Sequence, residues 1–420
     1  MRIDTRNLYR LPWSVNDNPI GWLEVTDKCN IVCKGCYREE LEGHRPLDVL
    51  EEEVRRLKEL RNPDSICIAG GEPLLHPQIC DIVAYVNSLG LKAAILTNAV
   101  NLDENLAREL KRAGVYNLKL HIDQWQSRPH HKRKTEVELM DLRQSYVELL
   151  RKVGGIDATF GATVYRENLQ YVGDILAWAQ KNIDVVSGLI FLTFRAVPTG
   201  GEVELYAGGK RVDPKELRYS TNDATEVGIT AADVLDSMRR VYPDVRASSF
   251  LGGTMCPDTP KWLLLTHIAS SDRSYGFVGP RTMELAQTFH HAVFGKYLTH
   301  GDRPRLGPGY FGLSAIDPAV RPGLRRWATD LARRPWRLFD RTLTTQSVLI
   351  LQGPDHLEDG TVDMCDSCPD MAFFEGKLYP SCRLDELRKW GTLANAHHTD
   401  ADARRRAESA RQKLPIAPPC

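Results

Sequence analysis

The sequence predicts an α/β protein built on a parallel sheet, and two features of residues 21–196 lead to this prediction. Six short apolar runs of β-type composition follow one another along this part of the chain. Between them lie stretches in which apolar residues recur every three or four positions, which is typical of amphipathic helices. Six β-α repeats in series indicate a parallel sheet whose functional side chains follow the carboxyl ends of the strands.

The individual elements are read in order along the chain. The predicted strands are Gly21–Thr26, Ser65–Ala69, Lys92–Thr97, Asn117–Ile122, Asp157–Val164 and Gly188–Phe194. The predicted helices are Pro46–Leu60, Pro77–Leu89, Glu104–Ala113, Val137–Val153 and Tyr171–Lys181. Gly90 and Gly114 follow two of these helices, at a position where glycine commonly ends a helix.

Residues 197–352 lack this regularity and are expected to shape the substrate pocket. They include a predicted helix at Ala231–Val241 and an apolar run at Trp262–Thr266, while the basic stretch 333–337 is interpreted as a solvated helix end. Six aromatic residues are expected in the core, which their spacing favours, or around an apolar cavity: Trp262, Phe289, Phe294, Tyr297, Tyr310 and Phe311. An N-terminal arm at 1–20, a cysteine-containing hairpin unit at 353–399 and a charged C-terminal tail at 400–420 complete the predicted organisation.

Composition excludes several classes of protein. The 420 residues include 55 Lys+Arg and 55 Asp+Glu, and this balance argues against a protein held on nucleic acid by a broad charged surface. The longest apolar stretch, Val185–Phe194, is shorter than the roughly 20 residues needed to span a bilayer. The N-terminus lacks the apolar core of a secretory signal, so we expect a cytoplasmic location. In that compartment the ten cysteines are expected to bind metal more readily than to form disulfides.

The first cysteine group directly follows the first predicted strand. Cys29, Cys33 and Cys36 are separated by three residues and then by two. Three thiolates on one loop can hold three irons of a cubane cluster and leave the fourth iron without a protein ligand, whereas iron–sulfur clusters usually take four cysteines. A zinc site completed by His44 or His76 is the alternative, although zinc ligands generally arrive as separated pairs.

This loop and a second segment together resemble the radical S-adenosylmethionine (SAM) superfamily. The second predicted strand ends in Ala69-Gly70-Gly71-Glu72-Pro73, which is similar to the Gly-Gly-Glu-Pro element of that family. The resemblance covers roughly residues 21–196 and implies a partial (β/α)6 TIM-like barrel. It also implies a [4Fe–4S] cluster whose open iron is chelated by SAM, reductive cleavage to a 5′-deoxyadenosyl radical, and hydrogen abstraction from a substrate C–H bond.

The resemblance also assigns roles to residues at the strand ends. His121 and Asp123, which follow the fourth strand, are the candidate catalytic residues. The candidate SAM-binding residues are Tyr37, Gly70, Gly71, Glu72, Asn98, Thr163 and Arg195. Two of these residues have an alternative role that does not involve SAM. Asn98 would then only cap or turn the chain, and Arg195 would form a surface ion pair. One departure is Gly35, which stands where the family commonly has an aromatic residue and which leaves the side-chain packing there open.

A second cysteine group lies near the C-terminus. Cys365 and Cys368 form a close pair, and Cys382 follows a hairpin predicted to turn at Glu375-Gly376. Cys256, in a loop outside the barrel, is the proposed fourth thiolate of a tetrahedral site that iron–sulfur or zinc would fit. The arrangement is similar to the SPASM and Twitch extensions of radical SAM proteins and implies one auxiliary [4Fe–4S] cluster.

These features predict a radical SAM enzyme, either an oxidoreductase or one that forms C–C bonds. The expected substrate is a small or lipid-like molecule that undergoes oxidation, rearrangement, epimerisation or C–C bond formation, and the tetraether-lipid synthase group shows a faint resemblance. A peptide-modifying enzyme and a non-catalytic iron–sulfur or zinc scaffold are the alternatives. Cobalamin-dependent methylation is not expected. The chemistry also requires an electron donor such as flavodoxin or ferredoxin.

Overall fold

A computed structural model describes residues 3–39, 41, 43–195, 197–198, 203–221, 228–299, 307–339, 343–357 and 361–398. The predicted tail at 400–420, with Cys420, lies outside these residues.

The strands of the described part are β1 (Tyr9–Arg10), β2 (Ile20–Thr26), β3 (Ser65–Gly70), β4 (Lys92–Thr97), β5 (Val115–His121), β6 (Asp157–Val164), β7 (Val186–Thr193), β8 (Val197–Pro198), β9 (Val203–Ala207), β10 (Lys210–Val212), β11 (Ser220–Thr221), β12 (Ser249–Leu251), β13 (Trp262–Ser270), β14 (Arg273–Phe277), β15 (Thr344–Gln352), β16 (Asp355–His356), β17 (Val362–Asp363), β18 (Met371–Phe374), β19 (Lys377–Pro380) and β20 (Ala394–His398). The α-helices are α1 (Leu47–Arg61), α2 (Ile79–Ser88), α3 (Glu104–Ala113), α4 (Leu139–Val153), α5 (Val172–Lys181), α6 (Ala231–Arg239), α7 (Pro280–Phe294), α8 (Arg321–Arg333) and α9 (Leu384–Trp390).

The six strands and five connecting helices expected from the sequence are present. Strands β2 to β7 pair in chain order, and each pair is parallel. Helices α1 to α5 connect them, and the apolar side chains of these helices form one core cluster with those of the strands. The observed elements begin and end within two residues of the predicted ones. The α/β class and the parallel sheet are therefore confirmed, in an arrangement consistent with a partial TIM-type barrel.

The sheet continues beyond the six predicted strands at both edges. On one side β15 pairs parallel to β7, and β13 pairs antiparallel to β15, so residues 197–352 add strands to the same sheet. On the other side the hairpin β18–β19 joins β2 through the pairing of Ala372 with Trp22. The strand order of the long path is β1-β12-β13-β15-β7-β6-β5-β4-β3-β2-β18-β19. The described strands do not close into a complete barrel.

Two pairs of aromatic residues in the 197–352 region lie in different environments. Tyr310 and Phe311 are buried in a small core cluster beside β14. Phe289 and Phe294 are each 63% exposed on α7, so the expectation that they fill the core or line a cavity is wrong for these two. A different face of helix α7 packs against β1. From this helix, the Gln287 side-chain oxygen accepts the Trp13 indole N–H at 3.4 Å. None of the helices in the described ranges is long and apolar enough to cross a membrane.

Candidate functional site

A cavity of about 280 Å³ lies at the carboxyl ends of the parallel strands. Its lining includes the last residues of β3, β4 and β5 and the segments that follow β4, β7 and β15. Both cysteine groups face it, through Cys29, Cys33, Cys36, Cys365, Cys368 and Cys382. The structure therefore brings together two motifs that lie more than 300 residues apart in the sequence.

The first cysteine loop is held in place by the segment that follows β5. Cys33 forms an isolated antiparallel bridge with Gln126. On either side of this bridge, the Lys34 N–H donates to the Trp125 carbonyl at 3.0 Å, and the Ser127 N–H donates to the Val32 carbonyl at 2.8 Å. Backbone pairing thus fixes the loop so that its three thiols line one cavity.

The two adjacent glycines after β3 are required by close backbone packing. Gly70 has a φ of +132°, and a Cβ there would lie 2.3 Å from the Thr26 carbonyl oxygen. A Cβ on Gly71 would lie 2.3 Å from the Lys28 carbonyl oxygen. The Gly71 and Glu72 N–H groups donate to the carbonyls of Thr26 and Lys28 at 2.7 and 2.8 Å. Only glycine lets this edge lie against the residues that lead into Cys29.

Glu72 does not line the cavity, although the sequence analysis placed it among the SAM-binding residues. Its side chain is fully buried and holds the end of β4 instead. One carboxylate oxygen accepts the Thr97 hydroxyl at 2.5 Å and the Leu74 N–H at 3.0 Å, and the other accepts the Asn98 N–H at 2.6 Å. Burial raises the pKa of Glu72, while these hydrogen bonds lower it, and the net direction is upward. Its carboxylate positions Asn98, which does face the cavity.

His121, Asp123 and Thr163 form one hydrogen-bonded group. The His121 Nε2 atom lies 3.0 Å from the Asp123 carboxylate and 3.2 Å from the Thr163 hydroxyl. Only His121 and Thr163 line the cavity, because Asp123 is buried behind the imidazole. Burial raises the pKa of Asp123, but the hydrogen bond and charge of His121, with the N–H groups of Trp125 and Thr163, lower it further than burial raises it. A charged Asp123 therefore orients the His121 ring.

Tyr37 and Arg195 are adjacent, but only Tyr37 lines the cavity. The Tyr37 hydroxyl lies 3.4 Å from the Arg195 carbonyl, and its ring centroid lies 4.9 Å from that of Tyr219. The Arg195 Nε atom contacts the Asp355 carboxylate at 2.6 Å, and the Arg195 side chain is only 7% exposed. Arg195 thus forms an ion pair, as the alternative expected, but its guanidinium is buried and only the Asp355 partner is partly exposed.

The space beside Gly35 is already occupied by aromatic rings. A Cβ at Gly35 would lie 3.0 Å from the Tyr165 hydroxyl and 3.1 Å from the Phe194 ring. The rings of Tyr165 and Phe194 pack with centroids 5.0 Å apart, and Phe194 faces the cavity. Side chains from the ends of β6 and β7 thus fill the position that an aromatic residue at 35 would otherwise take.

The second cysteine group approaches the cavity from the β18–β19 end of the sheet, where β18 pairs with β2. The hairpin β18–β19 carries Cys382, and the bridge between Gly253 and Cys365 holds the close pair. Cys256 lies nearby through its backbone, since its N–H donates to Asp363 at 3.2 Å, but it does not line the cavity. Its sulfur is engaged in a disulfide, so the prediction that Cys256 supplies a fourth thiolate is wrong. Lys261, which is fully buried, pairs with Asp363 at 3.1 Å.

Comparison with known proteins agrees with this geometry. Residues 23–179 match the family model described as the radical SAM superfamily. These residues therefore form a radical SAM domain. The family implies a [4Fe–4S] cluster and SAM as cofactors.

Curated radical SAM relatives match only part of this chain. The AdoMet-dependent heme synthase of Oleidesulfovibrio alaskensis is 28% identical over 45% of this chain and 48% of that protein. The 7,8-dihydro-6-hydroxymethylpterin dimethyltransferase of Methanocaldococcus jannaschii is 27% identical over 40% of this chain and 35% of that protein. The chain thus spans about half or less of the length of these relatives.

Similarity to solved structures is weaker. The structure described as native anSMEcpe with bound AdoMet and Cp18Cys peptide covers 67% of this chain and 68% of that one. Its identity is 16% and its TM-score is 0.39, so no argument rests on it.

The thiols of the radical SAM loop fit a cationic metal cluster. Burial raises the pKa of Cys29, Cys33 and Cys36, and the Asp123 charge raises that of Cys33 further. Without a cation the thiols would be neutral at physiological pH, whereas iron ligation requires thiolates. The Asn98 amide lies 3.8 Å from the Cys29 sulfur, within hydrogen-bond range for sulfur. These residues fit a cluster whose irons supply the compensating charge.

The two histidines proposed to complete a zinc site at the first cysteine group are hydrogen-bonded to other residues. The His76 Nε2 atom lies 2.9 Å from the Arg45 carbonyl, and its Nδ1 atom accepts the Gln78 N–H. The His44 Nδ1 atom lies 2.9 Å from the Thr26 hydroxyl. Across the described ranges, no three His, Cys, Asp or Glu side chains converge on a single-ion site. A tetrahedral zinc site needs such convergence, with Zn–S bonds of about 2.3 Å.

Apolar cavity residues were missed by the sequence analysis. The lining includes Trp22, Leu96, Leu192 and Leu351, together with the anticipated Trp262. The strands of a parallel sheet are buried on both faces, so their sequences read as continuous apolar runs. Such runs carry no alternation that distinguishes cavity-facing side chains from core-facing ones.

Proposed function

We propose that this chain is a radical SAM enzyme that acts on a C–H bond of a small or lipid-like substrate. The carrying observation is that the thiols of Cys29, Cys33 and Cys36 share one cavity with Gly70–Gly71 and Asn98. This juxtaposition supports a cluster and SAM bound side by side at the carboxyl ends of the strands. When bound, these cofactors supply a 5′-deoxyadenosyl radical that abstracts a hydrogen atom from the substrate.

The chain's own residues position the cofactors and exclude water. We assign SAM contacts to the backbone of Gly70 and Gly71 and to the side chains of Tyr37, Asn98 and Thr163, all of which line the cavity. Arg195 and Glu72 act indirectly, because Arg195 is paired with Asp355 and Glu72 holds Asn98. Their proposed role is therefore to position cavity-lining neighbours.

We assign proton transfer near the substrate to His121. Its imidazole lines the cavity, and the Asp123 carboxylate fixes the orientation of the ring. A histidine is suited to this role because its ordinary pKa lies close to neutral pH. Asp123, buried behind the ring, is a positioning residue for His121.

The apolar lining supports a substrate with an apolar reacting part. Trp22, Leu96, Leu192, Trp262 and Leu351 form this lining. These apolar side chains support a small molecule, or one apolar segment of a lipid-like molecule, as the substrate. The peptide-modifying enzyme stays the alternative. The net reaction after hydrogen abstraction is proposed as oxidation, rearrangement, epimerisation or C–C bond formation.

We further propose an auxiliary [4Fe–4S] cluster on the thiols of Cys365, Cys368 and Cys382; Cys256 is not retained as its fourth ligand, because its sulfur is engaged in a disulfide. Its support is that these three thiols line the same cavity as the radical SAM loop. The hydrogen bond with Cys365 and burial both raise the pKa of Cys368, so the Cys368 thiol also needs a nearby cation to ionise. Residues 353–399 are then the auxiliary unit of the enzyme.

The principal test is anaerobic reconstitution with iron, sulfide, SAM and dithionite. The wild-type chain is expected to release 5′-deoxyadenosine, and Cys29→Ala is expected to abolish the release and lower the iron content. Cys80→Ala is the matched control, because Cys80 lies on α2 away from the cavity. Absence of 5′-deoxyadenosine from the wild type, with unchanged iron in Cys29→Ala, would support the non-catalytic scaffold.

The auxiliary cluster is tested by Cys365→Ala combined with Cys368→Ala. This double variant is expected to lose about half of the bound iron, because one of two four-iron clusters is removed. Cleavage of SAM is expected to persist, since the first cysteine group is intact. Iron content equal to that of the wild type would refute the auxiliary site.

A further inference from the structure

A short helix in the C-terminal unit contacts the residues that lead into the first cysteine group. Helix α9 begins two residues after Cys382, so it directly follows the second cysteine group. From this helix the Arg388 side chain reaches the end of β2, where it pairs with Asp27. These two residues are 361 positions apart in the sequence. Helix α9 therefore links the second cysteine group to the strand that precedes the first one.

Arg388 shares two carboxylates with a second arginine. Its Nη1 atom lies 2.7 Å from the Asp27 Oδ1 atom, and its Nη2 atom lies 3.8 Å from the Glu24 Oε2 atom. The Arg38 Nη2 atom pairs with the same two oxygens, at 2.8 Å from Asp27 and 2.5 Å from Glu24. We define the arginine clamp as Glu24, Asp27, Arg38 and Arg388.

The arginine clamp carries two positive and two negative charges and is largely buried. The side chains of Glu24 and Arg38 are 5% and 11% exposed, and those of Asp27 and Arg388 are each 24% exposed. The Glu24 Oε2 atom is buried and accepts no hydrogen bond from the residues that the structure describes. Its charge therefore depends on the two guanidinium groups, and the loss of either one leaves a buried carboxylate without full compensation.

Two more contacts join α9 to the loop that follows the first cysteine group. The Asp385 carboxylate accepts the Glu39 N–H, and the Lys389 Nζ atom lies 3.2 Å from a Glu39 carboxylate oxygen. Glu39 lies three residues after Cys36. Helix α9 thus contacts the chain on both sides of the first cysteine group, before Cys29 and after Cys36.

The arginine clamp adjoins two elements to which SAM contacts are assigned above. The Asp27 carbonyl oxygen lies 2.8 Å from the position of a Cβ on Gly71, so Asp27 lies directly against the Gly70–Gly71 segment. Arg38 follows Tyr37 in the chain and, like Asp27, lines the cavity. Arg388 does not line the cavity, so it acts on the site only through these neighbours.

We propose that Arg388 is a positioning residue that holds the first cysteine loop and the Gly70–Gly71 segment in the arrangement that binds SAM. The inference rests on the proposed function, which places SAM beside these elements. Through Asp27, Arg388 holds the residues that lead into the loop. Through the shared carboxylates it also fixes Arg38 and the adjacent Tyr37. The C-terminal unit thereby supplies part of the support of the SAM site.

The experiment compares two substitutions of Arg388 with a matched control. Arg388→Gln removes the charge, and Arg388→Lys retains it. The control is Arg326→Gln, because Arg326 on α8 also pairs with an aspartate of another segment, Asp244, at 2.7 Å, but neither residue lines the cavity. Each protein is reconstituted anaerobically with iron and sulfide. The measurements are iron content, SAM affinity by calorimetry, and the effect of SAM on the EPR spectrum of the reduced cluster.

Arg388→Gln is expected to keep the wild-type iron content and to bind SAM about tenfold more weakly, because a charge-assisted contact behind the site is lost. At equal SAM concentration, the change that SAM causes in its EPR spectrum should be smaller than in the wild type. Arg388→Lys should recover part of the affinity, and Arg326→Gln should match the wild type. Wild-type SAM affinity in Arg388→Gln would overturn the proposal.

A double-variant cycle separates this role from a general loss of stability. Asp27→Asn is also expected to weaken SAM binding. Because both side chains act through one ion pair, Asp27→Asn combined with Arg388→Gln should bind SAM about as weakly as either single variant. Additive losses would overturn the proposal. Loss of iron in Arg388→Gln that Arg388→Lys does not restore would also overturn it, in favour of a role in folding alone.

Failure of the proposed function gives a different result, since the wild type then neither binds SAM nor releases 5′-deoxyadenosine. The hold of Arg388 on the cysteine loop is in that case decided by alkylation of Cys36 in the metal-free chain. The alkylation rate is read by peptide mass spectrometry, with Cys80 on α2 as the internal reference. Faster alkylation of Cys36 in Arg388→Gln than in Arg326→Gln supports the positioning role, and equal rates refute it.

Discussion

Replacing Gly71 with alanine is expected to push the Gly70–Gly71 segment away from Asp27 and Lys28, which lead into the cysteine loop. The added Cβ would lie 2.3 Å from the Lys28 oxygen, 2.7 Å from the Lys28 carbonyl carbon and 2.8 Å from the Asp27 oxygen. All three atoms belong to the backbone, so no flexible side chain can give way. Gly71 does not have a positive φ, and the clash is therefore the whole effect of the substitution.

The magnitude follows from these contacts. The two segments must part by about 1 Å to reach ordinary van der Waals separation. That movement stretches the hydrogen bonds from Gly71 to Thr26 and from Glu72 to Lys28 beyond useful length. Overpacking and the loss of two buried hydrogen bonds together destabilise the site by about 4 kcal/mol. A misplacement of about 1 Å also lowers the rate about 100-fold.

Gly312→Ala is the matched control, because Gly312 also lacks a positive φ and a Cβ there meets nothing within 4 Å. The assay measures iron content, SAM binding and 5′-deoxyadenosine release with excess dithionite. Gly71→Ala is expected to lower all three, and Gly312→Ala to leave them unchanged. Near-normal activity and iron content in Gly71→Ala would show that the close backbone contact does not matter.

Three further predictions concern other parts of the chain. Burial lowers the pKa of His267 to about 3 from its ordinary 6.5, so the stability due to its neutral ring is present above pH 6.5 and is lost as the pH falls toward 3. In His267→Phe, the free energy of unfolding measured with urea should depend less steeply on pH between 6.5 and 3, by up to about 1.4 kcal/mol per pH unit. An unchanged pH dependence would contradict this prediction. Glu72→Gln places an amide NH2 group against a backbone N–H donor, so one hydrogen bond of the carboxylate is lost. We expect the free energy of unfolding to fall by about 2 kcal/mol and SAM to bind more weakly in calorimetry. Unchanged SAM binding would argue against the positioning role of Glu72. Gly35→Phe should lower the iron content, because the space beside residue 35 is filled by the Phe194 ring. Adding Phe194→Ala should partly restore the iron content. Failure of this rescue would show that the two side chains do not compete for the same space.

The cysteine spacing and the strand order could be predicted because both depend on local sequence. The three-then-two spacing of Cys29, Cys33 and Cys36 is a property of one loop, and the β-α repeats follow from apolar periodicity. Glu72 shows where such reasoning stops. Its motif indicated a cofactor contact, but the direction of its side chain is set by Thr97 and Asn98 on the next strand.

The long-range arrangement was decided only by tertiary structure. Pairing of β15 with β7, and of β18 with β2, joins segments far apart in the chain, and no local pattern specifies such partners. The same pairings bring both cysteine groups to one cavity. The sequence by itself determined the radical SAM domain, the α/β class and the spacing of the first cysteine loop. The tertiary structure alone decided which side chains face the cavity, because that depends on packing between distant strands.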